Sequence, residues 1–141
     1  ITNMDITPTL YDLAGIALDR TLDGRSLAPL LTDEEGPAWE EDVMCVYNGH
    51  HFAYQSRMVT DGRTKYVFNA PEIDEFYDLV RDPWEMQNLI DDETYSSEIA
   101  HKRSRLIQWV ERAGDPLADW IGNLHGHRER TTLEEYTAYR D

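Results

Sequence analysis

Cysteine is almost absent from this chain: one in 141 residues, so an internal disulfide and a thiolate-rich metal site are both excluded. Basic residues are scarce as well. Thirteen Lys and Arg stand against 28 Asp and Glu, a formal net charge of −15. Nucleic acid and anionic membrane surfaces are recognised through basic clusters, so neither is an expected partner. An anionic substrate would likewise find no long-range attraction here. There is no apolar run of the roughly twenty residues that a membrane-spanning helix needs. No leader-like stretch opens the chain, but "ITNMDITPTL" also lacks a Met at position 1. We therefore expect a piece of a longer product, and the compartment is not readable.

What is present is enough for one domain with a modest core. "DITPTLYDLAG" reads as a short helix with Ile6, Leu10, Leu13 and Ala14 on one face. Asp5 or Thr7 can cap its start, Pro8 is tolerated in a first turn, and Gly15 suits a left-handed stop. "DGRSLAPLL" predicts one more turn, with Ser26 as cap and Leu27, Leu30 and Leu31 presented. "TDEEGPAWEED" is acidic, broken by Gly36-Pro37, and reads as a linker.

The period then changes. "VMCVYN" (43–48), "QSRMVT" (55–60), "TKYVFN" (64–69) and "DEFYDL" (74–79) are short runs rich in β-branched and aromatic residues. Asp61-Gly62 predicts a tight hairpin whose two central residues take positive φ. The expectation is an antiparallel meander of four strands. A long helix is predicted over about 96–113, its stripe formed by Ile99, Leu106, Val110 and Ala113 with Trp109 beside it. Gly114 and Pro116 then stop it.

"DEFYDLVRDPWEMQNL" is acidic enough to suggest an active or metal site, yet it also reads as local structure. Asp82 is placed as helix cap, Pro83 at the first helical position, Glu85 where it can reach back to the cap, and Asn88 as a stop. Asp74, Glu75 and Asp78 are expected on a strand edge or solvent face. No third carboxylate or His falls at a matching spacing for a metal. Asp91-Asp92 reads as a solvated loop, Cys45 as a small apolar strand residue.

"RMVTDGRTKYVFN" followed by "EFYDLxxDPWEMQNL" resembles the C-terminal subdomain of the sulfatase family, within the alkaline-phosphatase-like superfamily. "DITPTLYDLAG" and "DGRSLAPLL" resemble the helix and loop that precede it there, in the same order. The resemblance spans about residues 5–120; the tail after Ile121 resembles nothing nameable. It implies an α+β fold: a small four-stranded antiparallel sheet with a long helix packed across it, preceded by short helices that end a larger α/β domain. The implied division is 1–32 as that helical end, 33–42 as acidic linker, 43–120 as C-terminal subdomain and 121–141 as polar tail.

The implied function is the C-terminal segment of a sulfuric ester hydrolase, completing the enzyme and not catalytic alone. Family members use a formylglycine, made from a Cys or Ser in C/S-x-P-x-R, and a divalent cation, usually Ca2+. Both are expected in a large N-terminal catalytic domain, the implied partner. Cys45 has no Pro or Arg at the required offsets, so no cofactor is expected in this chain. A sulfated small molecule or glycan would be the substrate of the parent enzyme. The same segment of a phosphonate or phosphodiester hydrolase, and a stand-alone glycan- or protein-binding module, are the alternatives. A Ca2+-binding module would need an Asp-x-Asp-x-Asp-Gly loop, which does not occur.

"YNGHHFAY", Tyr47 to Tyr54, is the stretch where function can reside. Asn48, His50 and His51 with flanking aromatics either line a substrate cleft or form a hairpin loop with exposed imidazoles. Arg57 either adds positive charge to that cleft or pairs, like Lys65, with acids across the strands. His125 and His127 can bind a metal adventitiously. The helix at 6–14 is expected to expose an apolar face in isolation, and so to drive self-association.

Overall fold

A computed structural model of the chain describes residues 1–32, 42–49, 54–70 and 72–128, side chains through Leu124. The expected linker, apart from Asp42, and the expected tail beyond Arg128 lie outside these residues. The chain divides into two compact units, Ile1–Val43 and Met44–Asp141.

In the first unit a single 3-10 turn (Asn3–Asp5) runs into α1 (Ile6–Leu13), and α2 (Ala28–Leu31) follows a long connection. Buried polar groups hold these pieces together. The Asp5 carboxylate accepts from the Thr2 N–H at 2.7 Å and the Arg25 N–H at 2.9 Å, so it ties the connection down instead of capping α1. Burial alone would raise its pKa, but those two N–H donors hold it below the usual carboxylate value. Thr9 Oγ1 donates to the Asp5 carbonyl at 2.6 Å and accepts from the Leu27 N–H at 2.8 Å. Gly15, at φ 66°, closes α1 as expected. Ser26 Oγ accepts from the Ala28 N–H at 3.1 Å, but the residue at the cap position of the short α2 is Leu27. The face of α1 that turns inward carries Pro8 and Thr9. Its apolar stripe points out: Ile6, Leu10 and Leu13 are each more than half exposed, as are Ile16, Leu30 and Leu31.

In the second unit β1 (Val43–Tyr47), β2 (Gln55–Thr60), β3 (Thr64–Ala70) and β4 (Glu75–Asp78) lie in that order in one sheet. The β2–β3 and β3–β4 pairs are antiparallel. Val59 opposite Tyr66, and Tyr66 opposite Phe76, place all three on one face together with Phe68. On that face sits α3 (Ser96–Arg112), whose Ile99, Leu106 and Val110 are buried against the sheet residues. Each of these large side chains contributes about 1.5–3 kcal/mol. Gly114, at φ 62°, stops α3, and the Asp115 N–H closes on the Val110 carbonyl at 2.9 Å. Ala113, expected on the stripe, is exposed; Lys102 is buried.

Lys102 pays for its burial with an ion pair, Nζ to Asp61 Oδ2 at 2.8 Å, which pins α3 to the β2–β3 turn. Burial would raise the Asp61 pKa. The Lys102 ammonium and the N–H groups of Thr64 and Arg63 outweigh that and bring it from 3.8 to about 2. A folded pKa below the unfolded one means stability that is complete above the unfolded value and lost as pH falls through the folded one. We therefore expect the urea midpoint to drop between about pH 4 and pH 2, and Asp61→Asn to remove part of that drop. A wild-type and variant pair with parallel acid profiles would contradict this.

Four local features differ from the sequence-based expectation. The hairpin forms, but only Gly62 takes positive φ, at 83°, while Asp61 Oδ1 accepts from both the Arg63 and Thr64 N–H groups at 2.8 Å. Asp82 starts no helix. Instead its Oδ2 accepts from the Gln87 N–H at 2.9 Å, and Glu85, at φ 55°, turns its carboxylate onto Lys65. Asn88 Oδ1 accepts from the Phe76 N–H at 3.0 Å, which ties the segment to β4. Asp74 is not on the solvent face: it is 2% exposed and bonded to the Tyr66 hydroxyl at 2.8 Å. Finally, α4 (Ala118–Arg128) crosses the boundary drawn at residue 120 and puts Ile121 into the core, with Trp120 edge-on to Phe68 at 5.6 Å.

Candidate functional site

The end of β1 and the residue before β2 bring Tyr47 and Tyr54 close together, with Asn48 following Tyr47. Cys45 is a β1 residue, exposed and unpaired to any other thiol. Tyr47 is half-exposed and Asn48 is exposed. His50 and His51 lie outside the described residues. Tyr54 stands just before β2, its ring centroid 6.3 Å from that of Tyr47.

Strand alternation places Tyr54, Asn69, Glu75 and Tyr77 on the face opposite Tyr66 and Phe76. There they form a hydrogen-bonded chain that runs from the residue just before β2 across β3 and β4. The Tyr54 hydroxyl donates to Asn69 Oδ1 at 2.7 Å, Asn69 Nδ2 donates to Glu75 Oε1 at 2.8 Å, and the Tyr77 hydroxyl donates to Glu75 Oε2 at 2.9 Å. Burial, then the Glu75 and Glu72 charges, raise the Tyr54 pKa. Burial and the bond to Glu75 push Tyr77 up to about 12. Both phenols are therefore neutral at physiological pH, suited to binding through ring faces and hydroxyls and not to nucleophilic attack. Lys65 lies 5.0 Å from the Tyr77 ring centroid while paired with Glu85.

Arg57 faces the other way, into the core, and is 2% exposed. Its Nε and Nη2 donate to the two Asp115 oxygens at 2.7 and 3.1 Å. Its Nη1 donates to the carbonyls of Tyr47 at 3.2 Å and Ser56 at 2.9 Å. Lys65 pairs with an acid as expected, although on the turn after β4 and not on a neighbouring strand. Among the described residues no three His, Cys, Asp or Glu side chains converge as a metal site would require. Asp92 accepts from the Thr94 N–H at 2.9 Å and hydroxyl at 2.6 Å, the work of a turn cap. No described helix is long and apolar enough to cross a membrane. The Tyr54–Tyr77 chain was missed in the sequence because its members come from β3, β4 and the residue before β2; only the period-2 alternation, carried through the register, brings them together.

The four-stranded meander with one long helix packed across it is an α+β subdomain. The chain belongs to the N-sulphoglucosamine sulphohydrolase C-terminal family, whose model matches residues 1–112. A delta 4,5-hexuronate-2-O-sulfatase of Bacteroides thetaiotaomicron is 35% identical over 115 residues, 79% of this chain and 24% of that protein. The structure of a 2-O GAG sulfatase superposes with a TM-score of 0.72 at 35% identity, over 79% of this chain and 25% of the other. A phosphonate monoester hydrolase of Agrobacterium radiobacter superposes with a TM-score of 0.67 at 27% identity, over 77% and 24%. The chain spans 60% and 24% of the length of the first two curated relatives it matches.

Proposed function

We propose that this chain is the C-terminal part of a working sulfatase, and that it completes the enzyme's fold and supplies one wall of its substrate cleft. The match of residues 1–112 to the sulphohydrolase C-terminal family carries this reading. Tyr47, Asn48, His50 and His51 are the cleft residues on this reading, with the ester's leaving group as the part they meet. Arg57, buried and paired, serves the cleft from beneath. On this reading formylglycine and Ca2+ belong to the larger portion, Cys45 having no Pro or Arg at the offsets of C/S-x-P-x-R. That portion would supply the positive charge that a sulfate ester needs, while this chain stays acidic.

The test is hydrolysis by the longest protein product that carries the chain. Release of sulfate from sulfated disaccharides or 4-nitrophenyl sulfate, in preference to hydrolysis of a phenylphosphonate ester, is expected. The reverse preference would favour the phosphonate hydrolase reading, to which the Agrobacterium structure gives its support. Replacing His50 and His51 with Ala should raise KM or lower kcat, and unchanged kinetics would remove them from the cleft.

Residues 1–32 belong, on the same reading, with the larger domain. The outward stripe of Ile6, Leu10, Leu13 and Ile16 is the surface that domain would cover. Left alone, the 141-residue chain should self-associate in sedimentation velocity runs at high concentration, and Leu10→Asp with Leu13→Asp should return it to monomer. A wild-type chain that stays monomeric throughout would count against the stripe as a docking face.

A further inference from the structure

We propose that Arg57 and Asp115 form a positioning pair for the exit of β1, setting the backbone of Tyr47 and Asn48 at the cleft rim; this rests on the cleft assignment above. One guanidinium joins three separate pieces of chain. One edge of it grips both Asp115 oxygens, and the remaining nitrogen holds the Tyr47 and Ser56 carbonyls. Asp115 is itself fixed from the other side. It follows Gly114 at the end of α3, its N–H closes on Val110, and its Oδ1 also accepts from the Leu117 N–H at 2.8 Å, where the chain turns into α4. The terminus of β1 is therefore referenced to the terminus of the long helix, through a residue of the neighbouring strand.

Core stability does not require this arrangement. A buried ion pair is often no more stabilising than well-packed apolar side chains of similar volume. An apolar side chain could fill the space under the sheet, but it could not hold the Tyr47 carbonyl. Lys could not either, because its single ammonium cannot serve a carboxylate fork and two carbonyls at once. Geometry is what the guanidinium adds. Among the described residues β1 lies at the edge of the sheet, with β2 as its strand neighbour.

The experiment uses the longest product carrying the chain, with Arg57→Lys, Arg57→Met and Asp115→Asn. Denaturant midpoints, KM and kcat for 4-nitrophenyl sulfate, and backbone amide exchange at Asn48 and Gly49 are measured for each. Displacing a binding residue by a fraction of an ångström should raise KM roughly tenfold in the Lys and Met variants, with kcat little changed. Exchange at Asn48 and Gly49 should quicken while the α3 amides from Ile99 to Val110 keep their protection. Arg57→Met should show both effects even where its midpoint approaches that of wild type. Variants that lose midpoint alone, with KM and the two amides unmoved, would reduce Arg57 to a core residue and overturn the proposal. If the wild-type protein hydrolyses neither the sulfate ester nor a phenylphosphonate ester, the cleft assignment fails. Amide exchange at Asn48 and Gly49 then decides the positioning pair by itself.

Discussion

Gly24→Ala is expected to destabilise the first unit by about 3 kcal/mol or more, since overpacking of this kind adds to a lost buried hydrogen bond. A Cβ at Gly24 would stand 2.1 Å from the Met4 carbonyl oxygen, 2.3 Å from its carbon and 2.8 Å from the Asp5 nitrogen. All three are backbone atoms, so no side chain can swing aside. Nor can the backbone yield freely. Asp5 is held through its N–H to the Thr2 carbonyl at 3.2 Å, and its carboxylate grips the Arg25 N–H one residue beyond the glycine. Moving Gly24 away pulls that N–H off a buried carboxylate. Gly122→Ala is the matched control: its Cβ would meet nothing within 4 Å, inside a helix, and should be neutral or stabilising by up to about 1 kcal/mol. Limited proteolysis within residues 1–32, together with denaturant midpoints, reads both. Equal resistance of the Gly24 variant and wild type would show that the close approach is dispensable.

The second large effect is expected at Asp74. Removing its carboxylate with Asp74→Ala should cost about 3–5 kcal/mol, the usual range when one partner of a buried charged pair is deleted. Asp74 is 2% exposed and receives the Tyr66 hydroxyl at 2.8 Å and the Asn69 N–H at 3.3 Å, with the Arg103 guanidinium 3.8 Å away. The Arg103 guanidinium also lies 5.6 Å from the Tyr66 ring centroid, and its buried Nε has no hydrogen-bond partner among the described residues. Without the carboxylate, a buried hydroxyl loses an acceptor and a cation loses a counter-charge. Asp74→Asn keeps an acceptor for Tyr66 and should cost less. A double-mutant cycle with Tyr66→Phe measures the coupling; additive costs would mean that the 2.8 Å bond contributes little.

Much of this fold is legible in the residue pattern. The four strands announce themselves as short runs rich in β-branched and aromatic residues, and α3 through an apolar stripe that recurs at helical spacing and is buried against the sheet. Asp74 escapes such a reading, because a carboxylate's burial depends on Tyr66, eight residues away on another strand. Glu85 escapes it too: the Asp-Pro-x-Glu pattern fits a capped helix, and only the nearby Lys65 reveals why the turn goes elsewhere. In α1 the amphipathic stripe is plain, but amphipathicity does not say what covers it. In α4 a Gly and two His obscure the period around Ile121. The candidate site is less legible than the fold. Asn48 is where the sequence places it, at an exposed strand end, whereas the inward direction of Arg57 needs the register and the position of Asp115. His50 and His51 remain a sequence reading.

The placement of Ile121 and Trp120 has a consequence for where this domain can be cut. The family match ends at residue 112, within the last residue of α3. The core does not end there: Ile121 is fully buried, and Leu117, Ala118 and Leu124 pack against it. Trimming the chain to its recognisable portion would take away the plug over Phe68 and sever Asp115 from Arg57. The stretch that the family model matches is shorter than the stretch that packs into the core.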